Sequence, residues 1–179
     1  MEVNLIVIDN FYANPDPVRA FALQQPFAVE GNYPGMRTAC FLTDDVKQAI
    51  ALHMQFAGKI TNWLDYSGSF QIATANDRTW VHSDENNRWS AVCYLTPDAP
   101  HTGGTGFFKH KETGQYSLVD SYHEGYDYTK WDLVDRVGNR YNRLVIFRGS
   151  LFHASMDYFG NNLENGRLFQ LFFFNTEGM

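Results

Sequence analysis

Cysteine is scarce: Cys40 and Cys93 are the two in a chain of 179 residues. Two thiols cannot build a disulfide scaffold or a zinc ribbon. Charge is thin as well, at 19% of residues, and it leans acidic, with 14 basic against 20 acidic side chains and a formal net charge of -6. A protein that grips a phosphate backbone carries a basic stripe, and none is present, so no nucleic-acid partner is expected. No apolar run approaches the ~20 residues of a membrane helix. The start, Met1-Glu2-Val3-Asn4, lacks a basic leader, and Leu5-Ile6-Val7-Ile8 is too short for a signal core. Repeats, low-complexity tracts and linkers are missing too. What remains is the expectation of a soluble, cytoplasmic domain in a reducing compartment, one unit over residues 1–179.

Aromatics are plentiful: 4 Trp, 10 Tyr and 15 Phe make up 16% of the chain. They favour strands and large packed surfaces. Residues 3–8 read as a short strand. Asp16 and Pro17 read as the cap and first residue of a helix that carries Val18, Phe21 and Ala22 on one face. Thr43 reads as the cap of a second helix, with Asp44 and Asp45 in its first turn and Gly58 as a stop. Beyond about residue 59 the pattern changes to short aromatic or β-branched segments between turns. Eight strands are expected, over 69–74, 79–84, 88–96, 104–109, 115–119, 143–148, 150–154 and 167–174. The acidic stretch 127–137 reads as a helical insert. The fold class is therefore mainly β with N-terminal helices, a helical support over about 1–58 and a sandwich or jelly-roll core over about 59–179.

Of six histidines, His82 stands apart because Asp84 follows at i+2. In a strand those two side chains share a face, so an imidazole and a carboxylate can ligate one ion. Such a pair also arises by chance, and context decides its meaning. His153, in Leu151-Phe152-His153-Ala154-Ser155, can supply a second imidazole. Two histidines and one carboxylate with open positions suit a non-haem Fe(II) oxygenase. Arg167, at the edge of the apolar run 167–174, calls for an acidic partner. Tyr94, on the strand after the His-Asp pair, can add a hydroxyl to the same partner.

The order His82-x-Asp84, Tyr94-Leu95-Thr96, Gly103-Gly104-Thr105-Gly106-Phe107, His153 and Arg167 resembles the 2-oxoglutarate/Fe(II)-dependent dioxygenases, in their prolyl-hydroxylase-like branch. The resemblance covers roughly residues 70–175. It implies a double-stranded β-helix, a cupin-like jelly roll, that holds Fe(II) with His82, Asp84 and His153. It also implies 2-oxoglutarate as co-substrate, with the remote carboxylate on Arg167 and Tyr94. Two departures stand out. The Thr of the Gly-Gly strand comes one place early. The gap from His153 to Arg167 is long, which implies an extra loop around Tyr158–Asn162; that loop and the linker 97–102 with His101 are expected to border the substrate pocket.

The implied chemistry couples oxidative decarboxylation of the keto acid to oxidation of a C–H bond. Because Asp84 is present, hydroxylation or demethylation of a small molecule, amino acid or protein side chain is favoured over halogenation. Two readings of another class remain open. One is a jelly-roll binding protein with a degenerate or structural metal site. The other is a cupin-like metalloenzyme that uses no 2-oxoglutarate. The oligomeric state is left open.

Overall fold

In the computed structural model, residues 3–117 and 124–177 are described. Among the described residues, ten antiparallel strands form two sheets. The large sheet runs β1 (Leu5–Ile8), β8 (Leu144–Arg148), β5 (Trp89–Tyr94), β10 (Arg167–Thr176), β4 (Ser69–Ala73) and β2 (Met36–Cys40), and β3 (Ile60–Trp63) pairs with the far end of β10. The small sheet runs β7 (Trp131–Val137), β6 (Thr105–His110) and β9 (His153–Ser155). Two α-helices, α1 (Pro15–Leu23) and α2 (Asp44–His53), are found among the described residues. This is the expected mainly β architecture with N-terminal helices.

Period-two alternation decides which side chains meet which layer. In β10, Leu168, Phe172 and Phe174 join Trp89, Ala91 and Cys93 of β5 in a core shared with Ala22, Ile50 and Met54 of the helical segment. The alternate residues Phe169, Leu171 and Phe173 join Val92, Tyr94, Phe147 and Phe107 inside the barrel. Both faces of the central strands are thus buried, so they read as continuous apolar runs rather than alternating ones. Each fully buried Phe of this kind is worth roughly 1.5–3 kcal/mol.

Several elements differ from the sequence-based expectation. The first helix begins at Pro15 behind Asn14, and Asn14 makes no capping bond. Asp16 lies in the first turn of the helix rather than at its cap, and its carboxylate accepts a 2.7 Å hydrogen bond from the Tyr141 hydroxyl. The Thr43 cap is present, accepting from the Val46 amide at 3.4 Å. The stretch expected as a helical insert over 127–137 is, from Trp131, the edge strand β7. Its alternation is disguised by a register shift opposite Phe107 and Phe108, which leaves Trp131 and Val137 buried with five exposed or half-buried residues between them. Residues 79–84 form no strand; His82 makes one isolated bridge. Of the expected strand 115–119, Ser117 bridges Leu151, and 118–119 lie outside the described residues. Strands β2 and β3 were not expected, and β1 and β2 both extend the large sheet from within residues 1–58. Among the described residues, no helix is long and apolar enough to cross a membrane.

Candidate metal centre and its cavity

His82 and His153 come together through the backbone. The amide of His82 donates to the His153 carbonyl at 2.9 Å, and the amide of His153 returns the bond at 2.8 Å. Their rings lie 4.4 Å apart. Each ring is aimed by the same device. Nδ1 of His82 bonds to the Trp80 carbonyl at 3.1 Å, and Nδ1 of His153 bonds to the Leu151 carbonyl at 2.8 Å. A carbonyl only accepts, so each Nδ1 carries the proton and each Nε2 keeps its lone pair. This is the orientation in which a backbone carbonyl on Nδ1 holds a metal-ligating imidazole.

Asp84 faces both rings. Its Oδ1 is 3.9 Å from Nε2 of His82, and its Oδ2 is 3.6 Å from Nε2 of His153. The backbone fixes it through a 2.7 Å bond from its amide to the Gly149 carbonyl. Ser90 on β5 donates its hydroxyl to Oδ2 at 2.5 Å and accepts from Asn87 at 2.7 Å. One donor atom from each of His82, Asp84 and His153 lies within 4.8 Å of the others. An ion about 2.0–2.2 Å from each donor sets cis donors ~3 Å apart, so small side-chain movements close the set. Burial, and then the neighbouring His82 ring, push the His153 imidazole down to about 4 against the pull of Asp84. It is therefore neutral at pH 7, as a ligand must be.

The three side chains open on one cavity, whose wall includes Thr79, Trp80, Thr105, Ser155, Tyr158 and Phe169. Tyr158 comes from the long loop before β10, so that loop borders the cavity as expected. The linker 97–102 does not reach this wall; His101 instead bonds through Nδ1 to the Asn139 carbonyl at 2.9 Å.

Arg167 and Tyr94 sit one layer behind the wall. Both are completely buried. The Arg167 guanidinium donates through Nε to the Gly103 carbonyl at 2.8 Å and through Nη2 to the Gly104 carbonyl at 3.1 Å. Its Nη1 makes no hydrogen bond among the described residues. A side chain on Gly104 would put Cβ 1.9 Å from the Val137 carbonyl oxygen, so only glycine brings that carbonyl to the guanidinium. The Tyr94 hydroxyl bonds to Thr105 Oγ1 at 2.7 Å. Burial raises the Tyr94 phenol above its usual pKa, opposed by the charge of Arg167. Thr105 thus links the buried pair to the cavity.

Two wall residues carried no sequence signal, Ser90 and Arg37, whereas Thr105 and Tyr158 were marked only by their motif and loop. Their roles depend on strand register and loop path, which neither composition nor spacing encodes.

Residues 1–129 match the model of a family described as a family of unknown function, DUF6445. The chain belongs to that family. The matched span contains His82 and Asp84 but stops short of His153 and Arg167. No curated protein matches the sequence.

Among solved structures, this DUF6445 chain is similar to HygX from Streptomyces hygroscopicus with nickel and 2-oxoglutarate bound, at 10% identity and a TM-score of 0.63 over 97% of this chain and 83% of that one. It is similar to a Pseudomonas putida prolyl-4-hydroxylase at 18% identity and a TM-score of 0.50, over 98% and 94% of the two chains. It is also similar to a Trichoplax adhaerens prolyl hydroxylase in complex with a hypoxia inducible factor peptide, at 12% identity and a TM-score of 0.55, over 96% and 83%. The fold is that of the prolyl-hydroxylase-like 2-oxoglutarate oxygenases.

Proposed function

We propose that this chain is a 2-oxoglutarate- and O₂-dependent non-haem Fe(II) oxygenase that hydroxylates a small molecule or a protein side chain. The observation that carries the reading is the convergence of two carbonyl-oriented imidazoles and one Ser90-anchored carboxylate on a cavity backed by a buried arginine. In this reading His82, Asp84 and His153 hold the metal. Bound there, Fe(II) and 2-oxoglutarate would supply the oxidising chemistry, which is the cofactor's own.

The chain's residues have distinct tasks. The Nδ1 bonds fix both imidazoles, and Ser90 fixes the rotamer of Asp84. Arg167 Nη1, buried and without a hydrogen bond, suits a carboxylate: a desolvated guanidinium pairs most strongly with that group. The Tyr94 hydroxyl is the second donor, reached past Thr105. Phe147, Phe169 and Leu171 keep this part of the cavity dry. The free thiols of Cys40 and Cys93 fit a reducing, cytoplasmic setting. HygX has been seen with hygromycin B bound and the Trichoplax enzyme with a peptide, which supports either a small-molecule or a peptide substrate here.

One observation favours the keto-acid-independent alternative: Arg167 and Tyr94 do not line the cavity wall. The two readings part in a simple assay. With Fe(II), 2-oxoglutarate and air, the proposed enzyme forms succinate slowly even without substrate. A protein that forms none while still binding the metal is the alternative.

A further inference from the structure

Arg167 lies behind the cavity wall, but another guanidinium, that of Arg37, lines the wall itself. Arg37 lies on the edge strand β2, opposite Gln71 of β4, and both side chains line the cavity that holds His82, Asp84 and His153. Its Nε donates to Gln71 Oε1 at 2.7 Å, and Gln71 Nε2 is tied in turn to the Pro34 carbonyl at 2.6 Å. The Tyr33 ring covers one face, with its centroid 3.7 Å from Cζ. The plane of the guanidinium is therefore fixed by an amide and an aromatic ring. Its two terminal nitrogens make no hydrogen bond among the described residues, and no carboxylate there lies within ion-pair distance of it.

A cation held this way is prepared rather than satisfied. Burial disfavours its charged form and lowers its pKa, and Asp84 is among the groups whose charge works the other way. Asp84, however, is turned toward Ser90 and the two imidazoles. A half-buried guanidinium with a locked plane and free terminal donors is the geometry for bidentate recognition of a carboxylate. The charge balance agrees. A divalent metal, Asp84, a dianionic keto acid, Arg167 and Arg37 together leave one positive charge, which a monoanion cancels.

Resting on the oxygenase reading above, we propose that Arg37 binds a carboxylate of the substrate itself, so that the substrate is an organic acid or a peptide presenting one. Gln71 and Tyr33 are positioning residues for that guanidinium. In this reading the co-substrate's carboxylate goes to Arg167 rather than to Arg37.

The test uses protein labelled with ¹⁵N-arginine, in which the Arg37 Nε–H signal is identified by its loss in Arg37→Gln. N-acetylglycine and N-acetyl-L-leucine are titrated against their carboxamides. Each titration is run on metal-free protein and on protein loaded with Zn(II) and N-oxalylglycine, an inert analogue of 2-oxoglutarate. The acids should shift the Arg37 signal saturably in both states, and the amides should not. Arg37→Gln, folded by its melting curve, should weaken acid binding roughly tenfold or more, read from cavity amides such as Ser155. Arg37→Lys should recover part of it. Equal responses to acid and amide, or no response to either, overturn the proposal. Acid binding that N-oxalylglycine abolishes also overturns it, because the anion at Arg37 would then be the co-substrate's. Failure to retain Zn(II) would sink the oxygenase reading instead, and the metal-free titration would still decide the role of Arg37.

Discussion

His82 and His153 exchange both of their backbone hydrogen bonds, at 2.9 and 2.8 Å, although they belong to distant parts of the chain. The pair is an isolated bridge between a loop and β9, so the proposed metal site lies at the point where the chain closes on itself. The geometry of the two imidazoles is thereby set by main-chain pairing, and in the proposed metal site the side chains need only small corrections.

Asp84 owes its rotamer to Ser90, whose hydroxyl in turn accepts from Asn87. Ser90→Ala removes that bond without touching a ligand. It should weaken Fe(II) or Co(II) affinity by about 10–100-fold, the usual effect of losing a hydrogen bond that orients a ligand. Metal titration followed by Co(II) absorption would check this. Unchanged affinity would mean that Asp84 is held by other contacts.

Arg167 is a buried cation with one nitrogen left over. In Zn(II)-loaded wild-type protein, 2-oxoglutarate should raise the melting temperature by filling that position. Arg167→Met should lose this shift while retaining the metal. It should also unfold more easily, since the Gly103 and Gly104 carbonyls lose their donors, at a cost of about 1–3 kcal/mol each. Thermal melts with and without 2-oxoglutarate separate the two effects.

His153 gives the metal-free protein a pH dependence. Its folded-state pKa, about 4, lies below the ordinary value of 6.5. Between those values the unfolded chain binds the proton and the folded one does not. The contribution is therefore complete above pH 6.5 and is lost as pH falls toward 4. Urea unfolding at pH 7 and pH 5 should show lower stability at pH 5, and His153→Phe should flatten the difference.

The central strands were legible because both faces are buried. In Arg167–Thr176 and Leu144–Arg148 every second residue meets the helices and the rest meet the barrel, so apolar density marks them. The edges were not legible. Met36–Cys40 buries only Thr38 and reads as polar chain, and Trp131–Val137 hides its period behind a register shift. The site divides the same way. His82 and Asp84 could be paired from their spacing, and His153 and Arg167 from their order along the chain. Arg37 could not, because only the pairing of β2 with β4 brings it opposite Gln71. The depth of Arg167 was also hidden: sequence placed it at a strand edge, while the carbonyls of Gly103 and Gly104 draw it behind the wall.

The most direct test of the oxygenase reading is an anaerobic absorption spectrum of the protein with Fe(II) and 2-oxoglutarate. A keto acid chelated to Fe(II) at an imidazole–carboxylate site gives a visible charge-transfer band. The wild-type protein should show this band at saturating 2-oxoglutarate, and His82→Ala should not. A folded wild-type protein that shows no band with both reagents present would contradict the account.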